Sequence, residues 1–490
     1  MIMMPFFLLG LPLVTAFLCI FATKQKTLSV INVLGGIAIG VTAVLLDWHV
    51  FTKGTLVELD KFIYIDALGA YIIGLIAFVG LAAGLYSLGY FAHELEAGEL
   101  AEARLKWYYV LFYVFVFTML AVVVVNNLGI MWVAIEATTL SSALLVGYFD
   151  TKASLEAAWK YIIICTVGIV FALFGTLLLY FAAVHVLGEG SKALDWSTLL
   201  QVASKLNPKL VKLAFIFILV GYGTKVGLAP MHTWLPDAHS QAPSPVSALL
   251  SGVLLNCALY GILRVHLVVT QTVGPGFTNA LLIIFGMFSV AIALPFILAQ
   301  HDIKRLLAYS SIEHMGIITV AVGIGGKLAL YGALLHMLNH AITKSALFFS
   351  AGNATQHYRT KKIAKIKGLI KAMPVTGPAL LLGAFAIAGV PPFNIFISEF
   401  TIFSAGFAQG KYFVTGLLLV LVTLVFAGIM YAVAKMAFGS PPGRVAVGET
   451  NKWSAVMVVI PLCLALLLGV YTPPVIGNVI YQVATMMGGR

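Results

Sequence analysis

Long apolar runs alternate with short polar stretches along almost the whole chain, and this alternation predicts a bundle of membrane-spanning helices. A helix needs about 20 predominantly apolar residues to cross the hydrocarbon core of a bilayer. On that basis the sequence predicts 14 segments. They are 4–22, 28–46, 66–90, 108–125, 128–148, 160–185, 210–229, 245–268, 277–299, 305–325, 328–350, 375–408, 412–438 and 453–472. The stretches between them are too short to form a soluble domain with a core of its own.

Two of these segments are interrupted by proline and glycine. The seventh, 210–229, stops at Pro230, and the twelfth contains the sequence Gly-Val-Pro-Pro at 389–392. Paired interruptions in corresponding positions are typical of transporters built from inverted repeats, whose ion sites lie at the breaks. The pattern therefore predicts an all-α polytopic membrane protein with two inverted five-helix repeats and broken helices 7 and 12. The predicted parts are three helices in 1–107, the repeats 108–268 and 277–438, and a last helix in 439–490.

Basic residues between the segments predict which side of the membrane each loop faces, because cytoplasmic loops carry an excess of Lys and Arg. Lys24 and Lys26 follow the first apolar run rather than precede it, which is typical of a retained span and not of a signal peptide. Lys304 and the loop 358–371, with six basic residues and no acid, lie on the same side. Two other loops fit less well. The balance predicts a protein of the cell membrane with both termini outside.

The composition agrees with this interpretation. Apolar residues make up 61% of the chain and charged residues 10%, with a mean hydropathy of +1.03, whereas globular domains have about 25% charged residues. The net charge of +11 is explained by the basic loops, so no nucleic-acid partner is expected. The four cysteines lie apart in apolar stretches without a CxxC pair, which predicts packed thiols rather than disulfides or a metal cluster.

Lys225 is the most informative single residue, because it lies in an apolar run shortly before the break at Pro230. An ammonium at the centre of a bilayer costs about 2.5–3.5 kcal/mol on the mildest scale, so such a lysine marks a functional site. Glu136, well inside the fifth segment, is its predicted partner, because a nearby ammonium favours the charged form of a buried carboxylate. An ion pair that only locks two helices is the alternative, although buried pairs are weak stabilisers.

His336, His340 and Lys344 recur at every fourth position of the eleventh segment, so they share one helical stripe. Each imidazole can change charge near neutral pH, a property that suits a proton relay. Two histidines at this spacing can also bind zinc. No Glu completes an HExxH motif and no third ligand is evident in the sequence, so no metal is predicted. Histidines satisfied within a structural core are the remaining interpretation.

Glu399 follows the second break. There, the binding and release of a proton by a carboxylate can be coupled to the unwound helix. The alternative is a solvated position near the interface. Further polar residues are possible accessory sites. They are His232, Asp237, His239, Asn256, Glu313 and His314. The first three flank the break at Pro230 and either line a water-filled entrance or cap the broken helix. Arg264, at the end of the eighth segment, is expected to snorkel to the interface.

The stretch 223–252, GTKVGLAPMHTWLPDAHSQAPSPVSALLSG, resembles the signature of the antiporter-like membrane subunits shared by respiratory complex I, multisubunit sodium/proton antiporters and energy-converting membrane-bound hydrogenases. The resemblance covers about residues 60–440 and implies 14 helices in inverted repeats, with the seventh and twelfth broken. It also implies roles for single residues. Glu136 and Lys225 would be the paired charges, His336, His340 and Lys344 the relay, and Glu399 the terminal site.

One position departs from the pattern of this family. Many relatives have a lysine at the centre of the eighth span, where this chain has Asn256. Asparagine carries no proton at neutral pH, so either water bridges this step or the path shifts to His336 and His340. Asn256 and the sequence SSIEHMG at 310–316 resemble the hydrogenase-associated branch, which includes archaeal-type membrane-bound hydrogenases and their sulfur-reducing relatives. The long lateral helix of the largest complex I relative is not expected.

Three functions compete at this stage. The first is an ion-translocating subunit of a redox-driven complex, in which other membrane subunits hold the redox centres and this chain holds no cofactor. The second is a subunit of a multisubunit sodium/proton antiporter without redox partners. The third is a solute carrier that works alone, which the extended series of titratable groups and the lack of an evident solute pocket disfavour. The transported ion is H⁺ or Na⁺, and a Lys/His relay favours protons.

Overall fold

The computed structural model of the chain describes residues 3–98, 100–188, 190–443 and 445–488, which fold almost entirely into α-helices. The helices of the first half are α1 (Met4–Phe21), α2 (Gln25–Lys53), α3 (Ala67–Glu96), α4 (Glu102–Val124), α5 (Leu128–Val146), α6 (Lys152–Leu187), α7 (Trp196–Val202), α8 (Pro208–Val226), α9 (Trp234–Gln241), α10 (Ser244–Leu249) and α11 (Leu255–Val273). Those of the second half are α12 (Pro275–Leu298), α13 (Ile303–Ile324), α14 (Gly326–Tyr358), α15 (Leu369–Ala372), α16 (Thr376–Ile387), α17 (Asn394–Ala408), α18 (Tyr412–Ala437), α19 (Lys452–Val470) and α20 (Pro474–Gly488). Short 3₁₀ turns lie at Ser191–Leu194, Ala203–Lys205 and Ile363–Lys365, and a π turn, Leu250–Leu254, joins α10 to α11.

Eleven helices in the described part of the chain are long and apolar enough to cross a membrane. The other three predicted spans correspond to α8, to α14, and to α16 with α17. Charged and polar residues keep α8 and α14 out of this set of apolar spans, whereas α16 and α17 are apolar but only 12 and 15 residues long. The number of 14 spans, the inverted repeats and the division into four parts remain predictions.

Both predicted interruptions coincide with breaks between helices. In the first, α8 ends at Gly227, which adopts a left-handed conformation with φ 83°, and α9 begins seven residues later at Trp234. Irregular backbone at membrane depth requires internal partners for its polar groups. The Trp234 indole donates to the Thr224 carbonyl at 2.8 Å, and Ser289 Oγ accepts from the Ala229 amide at 2.9 Å. The second break separates α16 from α17 between Ile387 and Asn394.

The helix α14 lies at the centre of the bundle, in contact with α13, α16, α17, α19 and α20 as well as with α3 and α10. Its neighbour α13 is buried along nearly its whole length, and so is the continuous helix formed by α10 and α11. The polar residues of these helices are therefore enclosed by protein rather than exposed to lipid. A polar group in such a place needs a partner within the bundle.

Several elements were not predicted from the sequence. Strands β1 (Leu56–Glu58) and β2 (Ile63–Ile65) form an antiparallel hairpin between α2 and α3, and the Phe62 carbonyl accepts from the Asn126 amide at 3.0 Å. The helices α7 and α20 also lie outside the predicted segments. Each of these elements is short, so none has the long apolar run that identifies a membrane span.

The prediction for Arg264 is wrong. Its side chain does not extend to the interface but is buried, and it forms two hydrogen bonds with Asp66, from Nη1 to Oδ2 at 2.5 Å and from Nη2 to Oδ1 at 2.7 Å. Nη2 also donates to Tyr260 Oη at 2.7 Å, and the guanidinium lies 4.1 Å from the centre of the Trp196 ring. A guanidinium matches a carboxylate in this two-bond geometry, which keeps Arg264 inside the protein.

Candidate functional site

Lys225 lies in the last turn of α8, just before the first break, and its side chain is buried. Its ammonium donates to Thr139 Oγ1 at 2.8 Å and to the Tyr161 hydroxyl at 2.5 Å. The nitrogen lies 4.6 Å from the centre of the Tyr161 ring, which stacks on the Trp234 ring with centroids 4.5 Å apart. The buried cation is thus held by two hydroxyls and an aromatic face, which attracts positive charge.

Glu136 reaches Lys225 only through a hydroxyl. This half-buried carboxylate on α5 accepts from Thr166 Oγ1 at 2.9 Å and from Thr139 Oγ1 at 3.2 Å. No direct ion pair between Glu136 and Lys225 is found among the described residues. Because Thr139 Oγ1 accepts from Lys225 and donates to Glu136, one hydroxyl connects the two charges. The predicted pairing is therefore indirect in this structure.

Asn256 lies directly after the π turn, at the start of α11. It is fully buried, its amide nitrogen donates to the Gly252 carbonyl at 2.8 Å, and its amide oxygen has no hydrogen-bond partner among the described residues. Turns of this kind are often found at functional sites. A buried acceptor without a partner is a place where a water molecule would be held.

The predicted stripe on α14 becomes a cluster with a histidine from α13. His314 Nδ1 lies 2.9 Å from His336 Nε2, and His336 Nδ1 lies 3.0 Å from Ser398 Oγ on α17. The His340 ring centre is 5.3 Å from that of His314, and both nitrogens of His340 lack a partner in the described structure. The structure thus joins the predicted accessory residue His314 to the stripe.

Lys344 continues the stripe toward the end of α14. Its ammonium donates to the Leu307 carbonyl at 2.7 Å and to Ser310 Oγ at 3.0 Å, both on α13. The side chain is fully buried and, among the described residues, no carboxylate lies within 4.0 Å of its nitrogen. Like Lys225, it is a cation held by neutral oxygens.

Two buried carboxylates lie beside the histidines. Glu399 Oε2 packs directly against Gly389 of the second break, where a β-carbon would clash and where φ is +69°. Glu313 Oε2 lies 3.9 Å from His314 Nε2. One oxygen of each carboxylate lacks a hydrogen-bond partner in the described structure. Glu399 is 5% exposed, so its predicted alternative, a solvated position at the interface, is wrong.

These side chains include one combination with the chemistry of a metal site. The ligand atoms of His314, His336 and Glu399 lie within 4.8 Å of one another. Two imidazoles and a carboxylate are a ligand set that zinc accepts. However, the 2.9 Å contact between His314 and His336 requires a hydrogen on one nitrogen, which a metal would have to displace. The geometry as it stands is that of a hydrogen-bonded pair.

The remaining accessory residues divide between two environments. Asp237 on α9 accepts from Lys160 at 3.4 Å and pairs with Arg305, so it belongs to an ionic cluster at the surface. His239, two residues further, is fully buried and neither ring nitrogen has a partner in the described part of the chain. His232 lies in the break itself, with its ring 6.4 Å from that of Tyr309. Among the described residues, His239 thus faces the buried interior with both ring nitrogens unpartnered, and the buried His232 leaves Nδ1 without a partner.

Sequence reasoning missed the hydroxyls that connect these groups. Thr139 lies one helical turn after Glu136, so helical spacing could have identified it. Tyr161 and Ser398 come from other helices, and no local signal connects them to Lys225 or His336. The missed residues are neutral, which is why a search for charges passed over them.

The class of protein is defined by this fold and this site: a polytopic helical membrane protein with a buried series of titratable side chains at two helix breaks. A family model described as "NADH:quinone oxidoreductase/Mrp antiporter, TM" matches residues 125–428. The chain belongs to this family, and it is an antiporter-like membrane subunit. The predicted family resemblance and the all-helical polytopic fold are therefore confirmed.

Curated relatives include subunits named after hydrogenases. The chain is 46% identical over 383 residues to a hydrogenase-4 component F homolog of Methylacidiphilum infernorum. The aligned part covers 78% of this chain and 80% of that protein. It is 34% identical over 364 residues to hydrogenase-4 component B of Escherichia coli, covering 72% of this chain and 52% of that protein.

Solved structures show the same fold over nearly the full chain. A chain of the membrane-bound sulfane sulfur reductase, an archaeal respiratory membrane complex, aligns with a TM-score of 0.87 and 25% identity, covering 98% of this chain and 96% of that one. A chain of the Mrp complex from Dietzia sp. aligns with a TM-score of 0.86 and 16% identity, covering 99% and 96%. These relatives are subunits of multisubunit membrane complexes, so the general prediction of membrane-subunit partners is confirmed.

Proposed function

We propose that this chain is the ion-translocating subunit of a redox-driven, hydrogenase-type complex of the cell membrane and that it moves protons. The observation that carries the proposal is the set of buried titratable groups that α13, α14 and α17 bring together at the second break, with Lys225 at the first. Buried ionisable residues inside a membrane protein are costly and mark ion pathways. The 46% identity to a hydrogenase-4 component F homolog supports the redox partner.

The proposed path begins at the connection of Glu136, Thr139 and Lys225. Redox energy released in a partner subunit changes the position or charge of Glu136. This change alters the interaction of Glu136 with Lys225 through Thr139. Lys225 then gives up a proton to water near Asn256, whose amide oxygen lacks a partner in the described structure.

The second half of the path uses the cluster around α14. Protons pass through Lys344, His340 and His336 to Glu399, which contacts Gly389 of the second break. His314 extends this set, because it lies 2.9 Å from His336. We also propose that both termini lie on the outer side of the membrane. Residues 1–2 and 489–490 are not among those that the structure describes.

The substitution Lys225→Ala tests the proposal. We expect it to abolish proton pumping by the purified complex in liposomes while redox turnover remains measurable, because it removes the cation at the first break. Lys209→Ala is the matched control, since Lys209 is an exposed lysine at the start of the same helix. Pumping at the wild-type level in Lys225→Ala would falsify the central role of this lysine.

A sodium/proton antiporter subunit without redox partners is the second candidate function. The fold likeness to a chain of the Mrp complex favours it, and a carboxylate such as Glu399 can serve either ion. Ion flux measured with the purified complex at varied sodium concentration separates the two. Flux that requires sodium and proceeds without a redox substrate supports the antiporter, and sodium-independent flux driven by redox turnover supports the proton pump.

A further inference from the structure

A polar cavity lies at the face of the bundle that carries the basic loop 358–371, apart from the buried path. Its volume is about 160 Å³, and a single water molecule needs about 10–15 Å³ of such space. The ends of six elements meet there. The cavity is lined by residues from α3, from the loop between α5 and α6, from the junction of α9 and α10, and from α13 and α14, including Thr151, Gln241, Ser244, Lys304, Thr355 and Lys361.

Two lysines from different elements converge on this cavity. Lys304, on α13, is 3% exposed and donates to the Ala242 carbonyl at 2.5 Å. Lys361, after the end of α14, donates to the Ser240 carbonyl at 2.6 Å and to Gln241 Oε1 at 3.2 Å. An ammonium has three donors, so each lysine retains at least one donor beyond these contacts.

No carboxylate lines the cavity among the described residues. Asp302, on the same side of the bundle, uses Oδ1 to accept from the amides of Lys304 and Arg305 at 2.8 and 3.0 Å, as the cap of α13. Burial lowers the pKa of Lys361, and the charge of Asp302 opposes this shift. The two positive charges therefore face an enclosed polar space without a matching negative charge in its wall.

A hydroxyl provides a third donor. Ser244 is 1% exposed, and its Oγ has no hydrogen-bond partner in the described part of the chain. A buried hydroxyl without a partner is unfavourable unless something in the cavity binds it. Lys304 and Lys361 each donate to a carbonyl at the end of α9, and capping of the helix explains these two contacts. It does not account for Ser244 or for the cavity beside it.

We propose that this cavity binds a phosphate group, carried either by an anionic lipid headgroup or by a soluble phosphate. Two lysines and a hydroxyl offer donors from three directions, which suits a tetrahedral oxyanion with several acceptor oxygens. Basic pockets between membrane helices on the cytoplasmic side are known to recognise lipid phosphates.

The cavity also has an entrance. A more open pocket of about 320 Å³ adjoins it and shares Tyr90, Thr355 and Lys361 with its wall. The outer pocket carries Arg359 as well, which adds positive charge on the way in. Glu94 in this outer pocket accepts from Gln356 Nε2 at 2.6 Å. A phosphate at the inner position would connect α13 and α14 to the end of α9, the helix that follows the first break.

The experiment uses the purified complex and two probes. Inorganic phosphate is titrated against chloride at equal ionic strength in uncharged detergent, and the midpoint of thermal unfolding is followed. In parallel, retention of phosphatidylglycerol relative to phosphatidylcholine is measured by native mass spectrometry. A response to inorganic phosphate indicates a soluble ligand, and selective retention of phosphatidylglycerol alone indicates a lipid headgroup.

Lys361→Gln is expected to weaken either response about tenfold, because it removes a charge-assisted contact worth about 1.4 kcal/mol. Lys362→Gln is the matched control, since Lys362 is exposed, adjacent and of the same charge. Ser244→Ala gives a smaller loss and keeps the test valid if Lys361→Gln fails to assemble. The proposal is overturned if neither probe has an effect beyond that of chloride or phosphatidylcholine. Equal responses in Lys361→Gln and Lys362→Gln overturn it as well.

Discussion

Two pairs of opposite charges inside the helical bundle are built in different ways. Arg264 and Asp66 share two direct hydrogen bonds. Lys225 and Glu136 are kept apart by the hydroxyl of Thr139. A two-bond ionic contact has one favoured geometry and resists change, whereas two charges connected through a hydroxyl can change their coupling when that single side chain turns or when one proton moves. The first pair is suited to holding helices together and the second to transmitting a change.

Breaking the locked pair should have the largest effect on stability. Arg264→Ala leaves Asp66 buried without its partner, which typically costs about 3–5 kcal/mol. We expect a large fall in the midpoint of thermal unfolding of the purified protein. Lys192→Ala is the control, because Lys192 pairs with Asp60 at 3.3 Å with both side chains mostly exposed, and such pairs contribute about 0–1 kcal/mol. Equal shifts in the two variants would contradict the structural role of Arg264.

Removing the hydroxyl between the other two charges should affect transport instead. Thr139→Val keeps the shape of the side chain but removes the hydroxyl that contacts both Glu136 and Lys225. We expect proton pumping per redox turnover to fall about tenfold, the equivalent of one charge-assisted hydrogen bond. Thr139→Ser should restore it.

The control for this variant lies next to it in the chain. Thr138 Oγ1 donates only to the Ile135 carbonyl of its own helix, at 2.6 Å, so Thr138→Val should pump normally. If Thr139→Val pumps as the wild type does, the two charges communicate by another route.

The smallest expected effect is that of Lys225→Met on stability. The substitution removes the desolvation cost of a buried ammonium, and the half-buried Glu136 keeps Thr139 and Thr166 as hydrogen-bond donors. We therefore expect a change within about 1 kcal/mol in the free energy of unfolding, unlike the loss of a partner from a fully buried pair. Pumping should be lost as in Lys225→Ala. A destabilisation as large as that of Arg264→Ala would instead support the alternative that Lys225 and Glu136 only lock two helices.

The features that could be predicted from the sequence are those encoded locally. The stripe of His336, His340 and Lys344 follows from helical spacing alone, and α14 runs through it without interruption. Both breaks follow from proline and glycine within apolar runs. The charged candidates were evident because a charge in an apolar segment is rare.

The features that could not be predicted depend on contacts between distant parts of the chain. Asp66 and Arg264 are 198 positions apart, so hydropathy gave no reason to pair them. The sequence identifies Lys304 only as a basic loop residue. In the structure it is buried beside a cavity whose other wall comes from α9, α10 and α14. Neutral connectors such as Tyr161 have no signature that distinguishes them from packed aromatic residues.

The polar character of α8 and α14 also has a consequence for biosynthesis. Both helices have at least 19 residues, but they fall outside the eleven helices of the described chain that are long and apolar enough to cross a membrane. A helix with several charges or histidines partitions poorly into lipid by itself. We therefore expect the two helices to enter the bilayer together with apolar neighbours, such as α6 beside α8 and α19 beside α14. The residues proposed to move ions thus make the insertion of this chain a cooperative process.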